Sequence, residues 1–489
     1  MPISRRTALQ GLLAASLATT TRPAGAAELR TDADILEAAF RALHPGLSRY
    51  NSAADLDGHF AKLRAAMARS ASPADTWLGL TRFTAAIRCG HTFVNATNQK
   101  DAGEAFVSGG RNRMPFGYRW LAGRMIVGHA GGVAGISAGD EILALGDTPV
   151  GPLATGLRAL AAADGANDAK RTRLADLDDT EAWPLPDVAL PILAPRAFAE
   201  STLRLTVRTG DGRPRTQDAP LLTRAERVAA RDSRRPPAAD GAAWTVTTLP
   251  DRTRLITMPT WALYESAWDW KAWLDQQVDM AIDSRAPAII LDLRGNGGGQ
   301  DCGNHLLSRM LTRDVVLPDA LRYVRYRRTP PDLDRYLSTW DKSFRDWGQD
   351  ADGPDARGFY RMTRWDADAR GDVVRPRGRR YAGKLIAITD ATNSSATFQF
   401  AQTLKANGLG TLVGAPTGGN RRGINGGAFF FLRLPASGFE VDLPLVATFP
   451  RTPQPDAGIA PDVPVATTAA DLTRGRDPQR AAAVRLARG

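Results

Sequence analysis

Two short polar stretches of this chain combine residue types that serve nucleophilic catalysis. The first contains the adjacent serines Ser394 and Ser395 and follows an apolar, strand-like run at 385–389. The second contains Gly297 and Gly298 and follows a similar run at 288–293. A strand that delivers a serine to the start of a helix surrounds its hydroxyl with backbone N–H groups. A glycine turn adds a donor with no side chain in the way. The pattern therefore predicts a hydrolase with a serine nucleophile and an oxyanion hole.

Several further motifs occur in an order that resembles the tail-specific, or C-terminal processing, serine peptidases. They are the segment 44–50 (HPGLSRY), the turn 89–92 (CGHT), the turn 135–143 (GISAGDEIL), the segment 413–419 (VGAPTGG) and the closing segment 458–462 (GIAPD). The resemblance implies an N-terminal helical region, a PDZ-like β domain and an α/β core of the Clp-protease/crotonase type. The predicted fold class is therefore α/β and multi-domain.

The expected domain organisation follows the motifs and the composition. The divisions are a signal peptide at 1–27, a helical region at 28–113, a PDZ-like domain at 114–226 with an insertion near 164–199, an α/β core at 242–470 with an insertion near 323–380, and a C-terminal tail at 471–489. In the second insertion, six apolar side chains fall at helical spacing and predict a helix with one apolar face. They are Leu333, Tyr336, Leu337, Trp340, Phe344 and Trp347.

The resemblance places Ser395 on the family's nucleophile, with Ser394 as the alternative. Asn420 then falls where the bacterial tail-specific enzymes carry a catalytic lysine, and Ala406 replaces an acidic residue of the nucleophile helix. An asparagine side chain cannot accept a proton from a hydroxyl. A serine/lysine dyad with lysine at that position is therefore excluded.

A second branch, which resembles the tricorn core protease, uses a histidine base supported by a glutamate. That resemblance assigns the base to His91. It assigns the orienting carboxylate to Asp456, with Glu440 and Asp442 as rivals. The expected oxyanion donors are the N–H groups near Gly297, Gly298 and Ala396.

The PDZ-like domain is expected to bind an extended peptide by β-augmentation, with a loop that receives a C-terminal carboxylate. Phe116, Gly117 and Tyr118 form the predicted loop. The alternative is a PDZ-shaped spacer that only positions the core.

Two cysteines, Cys89 and Cys302, lie within three residues of the predicted active-site turns. If the fold brings those turns together, an oxidising compartment permits a disulfide between them. Two unpaired buried thiols are the alternative.

The N-terminus has the order of an export signal. Arg5 and Arg6 precede an apolar run and a small-residue stretch that ends at Ala27. This order predicts twin-arginine export to the periplasm or the medium, with an ordinary secretory signal as the alternative. No later run is long and apolar enough to span a bilayer, so stable membrane insertion is not expected.

The net charge and the motifs of the sequence limit the classes of partner and cofactor that we expect. The net charge is +11, yet acidic residues are interspersed and no block of like charges occurs, so nucleic-acid binding is not expected. Nucleotide, phosphate-loop and metal motifs are missing from the sequence, and we expect neither a cofactor nor a metal.

The leading hypothesis is an exported serine peptidase acting on peptides or unfolded protein C-termini. The alternatives are a catalytically weak homologue that binds peptides or apolar ligands, and a hydrolase of non-peptide esters or amides. The oligomeric state is left open.

Overall fold

The structure is a computed structural model that describes residues 25–210, 212–234, 242–317, 320–364 and 373–489. The expected signal peptide, apart from its last three residues, lies outside the described residues. The α-helices are α1 (Ala26–Leu43), α2 (Ala53–Arg69), α3 (Pro73–Ala86), α4 (Asp101–Ser108), α5 (Val150–Leu160), α6 (Asp168–Leu174), α7 (Leu185–Leu193), α8 (Arg224–Ser233), α9 (Trp270–Asp283), α10 (Cys302–Leu307), α11 (Ser395–Ala406), α12 (Ala469–Thr473) and α13 (Pro478–Arg488). Among the described residues, no helix has the length and apolarity needed to cross a membrane.

The strands form three larger sheets and two short pairs. They are β1 (Arg111–Arg113), β2 (Gly117–Leu121), β3 (Arg124–His129), β4 (Glu141–Leu145), β5 (Thr148–Pro149), β6 (Thr202–Arg208), β7 (Pro214–Pro220), β8 (Leu222–Thr223), β9 (Thr245–Thr248), β10 (Arg254–Thr257), β11 (Ala288–Asp292), β12 (Val315–Val316), β13 (Ala320–Val324), β14 (Leu337–Ser338), β15 (Ala351–Asp352), β16 (Tyr360–Met362), β17 (Val373–Val374), β18 (Lys384–Thr389), β19 (Thr411–Gly414), β20 (Asn425–Arg433), β21 (Glu440–Pro450) and β22 (Val463–Pro464). The larger sheets run β2-β3-β4-β6-β7 with β5 beside β4, β22-β19-β18-β11-β10-β9, and β14-β20-β21-β13-β16-β15.

The N-terminal helices share one hydrophobic core with the first sheet and with β20 and β21. Helices α2 and α3 begin at Ser52 and Ser72, whose hydroxyls accept backbone N–H groups three residues on. Such caps satisfy donors that the first helical turn leaves free. Phe83 of α3 contacts Phe40 and Phe60, with ring centroids 5.5 and 5.0 Å away. This packing fixes the end of α3, from which the His91 turn departs.

The predicted α/β core is built on a mainly parallel sheet. Strands β10, β11, β18, β19 and β22 run parallel, and β9 adds an antiparallel edge. The apolar runs at 288–293 and 384–389 were predicted as strands, and β11 and β18 confirm them. Helices α9, α10 and α11 cover one face, and α13 covers the other. The segment 471–489, expected as a tail, therefore supplies the second layer of this core.

The parallel pairing explains why the serine and glycine turns meet. Strands β11 and β18 are neighbours in register, with Asp292 opposite Ile388. Parallel neighbours end at the same edge of a sheet, so the turns that follow them lie side by side. Asn393 Nδ2 donates to the carbonyl oxygens of Leu293 and Asn296 at 2.6 and 3.1 Å, which joins the two turns directly.

The prediction of an amphipathic helix near 333–347 is wrong. The segment contains short 3₁₀ turns at Asp334–Tyr336 and Lys342–Arg345, with β14 between them. Leu333, Leu337, Phe344 and Trp347 are nevertheless buried. The apolar spacing was real, but the side chains pack from separate turns against the third sheet rather than from one helix.

Candidate active site

Ser395 is the first residue of α11 and has a left-handed backbone, with φ of 49°. A non-glycine residue in this region is strained, and such strain concentrates at functional sites. Ser394 before it is extended, with φ of −127° and ψ of 177°. The two serine side chains therefore leave the turn in different directions. Ser395 faces the glycine turn and Ser394 faces Lys170.

Buried amide side chains hold the serine turn against the glycine turn. Asn296 accepts the Gly298 N–H at 2.9 Å and the Thr397 hydroxyl at 2.8 Å through its side-chain oxygen. Asn393 accepts the Asp390 N–H at 2.9 Å. Asn296 and Asn393 have no exposed surface. Because these two buried amide side chains are tied to fixed partners on both turns, the turns are held in place before any substrate arrives.

The predicted oxyanion donors have different environments. The Gly298 N–H is already donated to Asn296. Within the described residues, the Gly297 and Ala396 N–H groups have no hydrogen-bond partner. A Cβ on Gly298 would lie 2.8 Å from Ser395 Cβ and 3.0 Å from Ala396 N. The geometry therefore offers Gly297 and Ala396 as donors, and Gly298 as the residue whose missing side chain leaves room for the oxyanion.

His91 lies in a turn that follows α3 and lines a cavity of about 330 Å³ with Gly297, Ser394 and Lys170. Its Nδ1 is buried and has no hydrogen-bond partner among the described residues. Burial lowers the pKa of His91, the carboxylate of Asp164 opposes that shift, and the charge of Lys170 adds to it. The imidazole is therefore neutral near pH 7, as a proton acceptor must be.

Asp456 does not orient His91, and this prediction is corrected. Its carboxylate accepts the Ala166 N–H at 2.8 Å and the Asn420 amide at 2.7 Å. The carboxylate that acts on His91 is Asp164, which is 1% exposed and accepts the Gly90 N–H at 2.9 Å. The rivals contact other groups, and Glu440 lies 3.7 Å from Lys100 Nζ. Asp442 accepts the Asn95 and Asn98 amides.

Sequence reasoning also missed Lys170. This side chain is buried, and its Nζ lies 3.1 Å from the Thr392 carbonyl oxygen and 3.3 Å from Ser394 Oγ. Asp164 and Lys170 both come from the segment 164–199, which the sequence showed only as a proline-rich insertion. A signal existed in the run Asn167 to Arg173, which starts with a cap and places polar residues at helical spacing.

The chain is similar to known proteins in the sequence of its core and in its overall fold. Residues 252–465 match the sequence profile of peptidase family S41. The α/β core, which carries this match, is called the S41 core below. No curated protein sequence matches the chain. Mature CPAF in complex with lactacystin aligns with 94% of this chain and 98% of its own length, at 14% identity and a TM-score of 0.62. Mature CPAF alone aligns with 94% of this chain and 96% of its own, at 13% identity and a TM-score of 0.58. The overall fold of these proteins is therefore shared along almost the whole chain.

The predicted carboxylate loop beside the S41 core is not open to a peptide. Phe116 and Tyr118 are fully buried. The Tyr118 N–H donates to the Leu177 carbonyl at 2.7 Å, and the Leu177 N–H donates to the Tyr118 carbonyl at 2.9 Å. The insertion thus occupies the edge of β2, beyond Gly117, where β-augmentation would place a peptide. The chain's own segment fills the position that was expected for a ligand.

The predicted disulfide is also wrong. Cys89 and Cys302 are free, buried thiols. Cys89 lies in the core formed by the N-terminal helices, and Cys302 lies in the S41 core. Burial raises the pKa of Cys89 to about 11 and that of Cys302 to about 12. Thiols held protonated in this way are poor nucleophiles.

Proposed function

We propose that this chain is a serine peptidase that cleaves peptides or unfolded protein segments, with Ser395 as nucleophile and His91 as base. The observation that carries the proposal is the strained backbone of Ser395 at the start of α11, beside Gly298. A serine used only as a helix cap needs no such strain. The match of the core to peptidase family S41 supports the same reaction class.

The proposed reaction proceeds in two halves. Ser395 Oγ attacks the scissile carbonyl carbon and its proton passes to a ring nitrogen of His91. The carbonyl oxygen becomes negative and is bound by the Gly297 and Ala396 N–H groups. The intermediate then expels the amine, which takes the proton from the imidazolium, and leaves an ester on Ser395. Water hydrolyses that ester with His91 again as base. Each oxyanion donor is expected to contribute about 10²–10³ in rate.

The cavity beside Ser394 favours a bulky side chain next to the scissile bond. Its apolar lining includes Trp77, Leu160, Trp183 and Leu185. A volume of about 330 Å³ lies at the small end of the range for ligand cavities and has room for one large side chain. We therefore propose that the preferred substrates carry an aromatic or large aliphatic residue at this position.

Active-site labelling tests the nucleophile. Purified protein is treated with a fluorophosphonate probe beside Ser395→Ala, Ser394→Ala and His91→Ala, and the labelled residue is located by mass spectrometry. We expect labelling at Ser395 in the wild type, none in Ser395→Ala, and slower labelling at Ser395 in Ser394→Ala. His91→Ala should label about 10²–10⁴ times more slowly. His59→Ala, on α2, is the matched control. Labelling at Ser394, or none in the wild type, contradicts the proposal.

We also propose that the chain acts outside the cytoplasm. The support is the order of Arg5, Arg6, the apolar run and Ala27 in the sequence. Replacing both arginines by lysine should retain the protein in the cytoplasm when a tagged full-length chain is fractionated. Unchanged export of that variant would indicate an ordinary secretory signal instead.

A further inference from the structure

The short helix α6, part of the insertion at 164–199, docks on the turn that carries the proposed nucleophile. Lys170 Nζ donates to the Thr392 carbonyl at 3.1 Å and lies 3.3 Å from Ser394 Oγ. Arg173, one helical turn later, donates to Asp390 at 3.3 Å. Both cations are 8% exposed. Two buried cations on one face of a seven-residue helix are costly unless they serve the groups that they contact.

Asn420, which the resemblance places at the position of the family lysine, helps to hold this helix. Asn420 donates to the Asp164 carbonyl oxygen at 3.2 Å and to Asp456 at 2.7 Å. Asn167 accepts the Lys170 N–H and donates to the carbonyl oxygens of Thr417 and Gly419 at 3.0 and 2.8 Å. The turn that contains Asn420 therefore binds the segment that contains Lys170. The lysine enters the site from another part of the chain.

Positive and negative side chains act in opposite directions on the protonation of Lys170 and of His91. Burial lowers the pKa of Lys170 and Arg173 adds to that shift, while the carboxylates of Glu181, Asp390 and Asp164 oppose it. Asp164 and Lys170 are the charged groups that act on His91. Arg49 and Lys170 in turn face Asp164. The two charged side chains that act on His91, one negative and one positive, thus come from the same insertion.

We propose that Lys170 is a positioning residue of this site, whose ammonium group holds the turn before Ser395 and whose charge offsets part of the effect of the Asp164 carboxylate on His91. The inference rests on the proposed Ser395–His91 chemistry. The Thr392 carbonyl requires an N–H donor, which the ammonium form supplies without loss of the Ser394 contact. A positive charge near an imidazole disfavours its protonation. That effect agrees with the direction in which Lys170 shifts the pKa of His91.

The test is the pH profile of kcat/KM for peptide hydrolysis by Lys170→Gln and Lys170→Arg. Gln keeps a donor for Thr392 but removes the charge, whereas Arg keeps the charge. Loss of the charge should raise the pKa of His91, so the acid limb for Lys170→Gln moves to higher pH by about one unit. For Lys170→Arg, the acid limb should stay at the pH of the wild type, although the value of kcat/KM falls. Asp164→Asn keeps an acceptor for Gly90 N–H and should move the limb to lower pH.

Two results would overturn the inference. The first is an acid limb of Lys170→Gln at the wild-type position, which would leave Lys170 a purely structural role. The second is a loss of labelling in both Lys170→Gln and Lys170→Arg while His91→Ala labels at the wild-type rate, which would make Lys170 the base itself. Should Lys170→Gln fail to fold, Lys170→Met and Asp164→Asn supply the same comparison. Absence of labelling in the wild type would contradict the proposed function and is a separate outcome.

Discussion

At the residue scale, the proposed reactivity of Ser395 depends on backbone geometry that glycine makes possible. Gly298 has φ of 105°, and a Cβ there would lie 2.8 Å from both Ser394 O and Ser395 Cβ. Gly297 has open space around its Cβ position. Of the two adjacent glycines, only Gly298 therefore has no room for a side chain.

We expect Gly298→Ala to lower the fluorophosphonate labelling rate by on the order of 10² or more, because the methyl group would displace Ser395 and cover the Ala396 donor. Gly297→Ala retains its N–H and should lose less than about tenfold. Labelling rates of the two variants, with thermal unfolding as a check, make the comparison. Equal losses would show that Gly298 has no special role.

Asn420, which the sequence analysis placed at the position of a catalytic lysine, is part of the scaffold of the site. Asn420 has no exposed surface, donates to Asp164 and Asp456, and accepts the Arg422 N–H at 2.9 Å. Asn420→Lys should therefore destabilise the protein by roughly 2–4 kcal/mol and should not raise the hydrolysis rate. Asn407→Lys, at the exposed end of α11, is the matched control. A rise in activity above that of the wild type would contradict this interpretation.

At the element scale, the insertion at 164–199 connects the first sheet to the active site. Its Asp176–Leu177 end occupies the edge of β2, and its α6 end contacts the serine turn. The Trp120 N–H donates to Asp176 at 2.7 Å, and burial raises the pKa of Asp176 to about 7. The edge of β2, which was expected to bind a peptide, is thus covered by the insertion.

Hydrogen exchange can test whether this edge is closed in solution. The amides of Tyr118 and Trp120 should exchange slowly in the wild type. In Asp176→Ala, the Trp120 amide should exchange about tenfold faster or more, while Val127, which donates to Asp140 in the same sheet, stays protected. Fast exchange of Tyr118 in the wild type would mean that the edge is available to a peptide.

At the scale of the whole molecule, buried carboxylates link folding to pH. Asp442 is 5% exposed, accepts the amides of Asn95 and Asn98, and has its pKa raised to about 7 by burial. The unfolded value is about 4. The folded state therefore binds the proton more tightly, and this contribution to stability is full below about pH 4 and is lost as pH rises to 7.

We expect Asp442→Asn to flatten the pH dependence of the unfolding free energy between about pH 4 and 7, by on the order of a few kcal/mol across the window. Denaturant unfolding at several pH values measures the difference from the wild type. Asp147→Asn, an exposed hairpin residue, should follow the wild-type profile. An unchanged slope in Asp442→Asn would show that Asp442 is ionised throughout.

The sequence by itself determined the elements whose signals are local. The apolar runs at 288–293 and 384–389 and the helix from Ser395 were predictable because strand and helix periodicity depend on neighbouring residues. The serine and glycine turns were found for the same reason, since each directly follows its strand. The amphipathic spacing at 333–347 misled because burial alone does not distinguish a helix from successive turns that pack on a sheet.

Only the tertiary structure decided which side chains meet at the serine. Asp164 and Lys170 lie more than 220 residues before Ser394 in the sequence, and no local pattern linked them to it. The same holds for Asp456, which faces Asn420 rather than His91, and for Leu177, which closes the edge of β2. Hydrogen bonds and charge act over a few ångströms in space, so these partners depend on how the insertion folds back across the sheets.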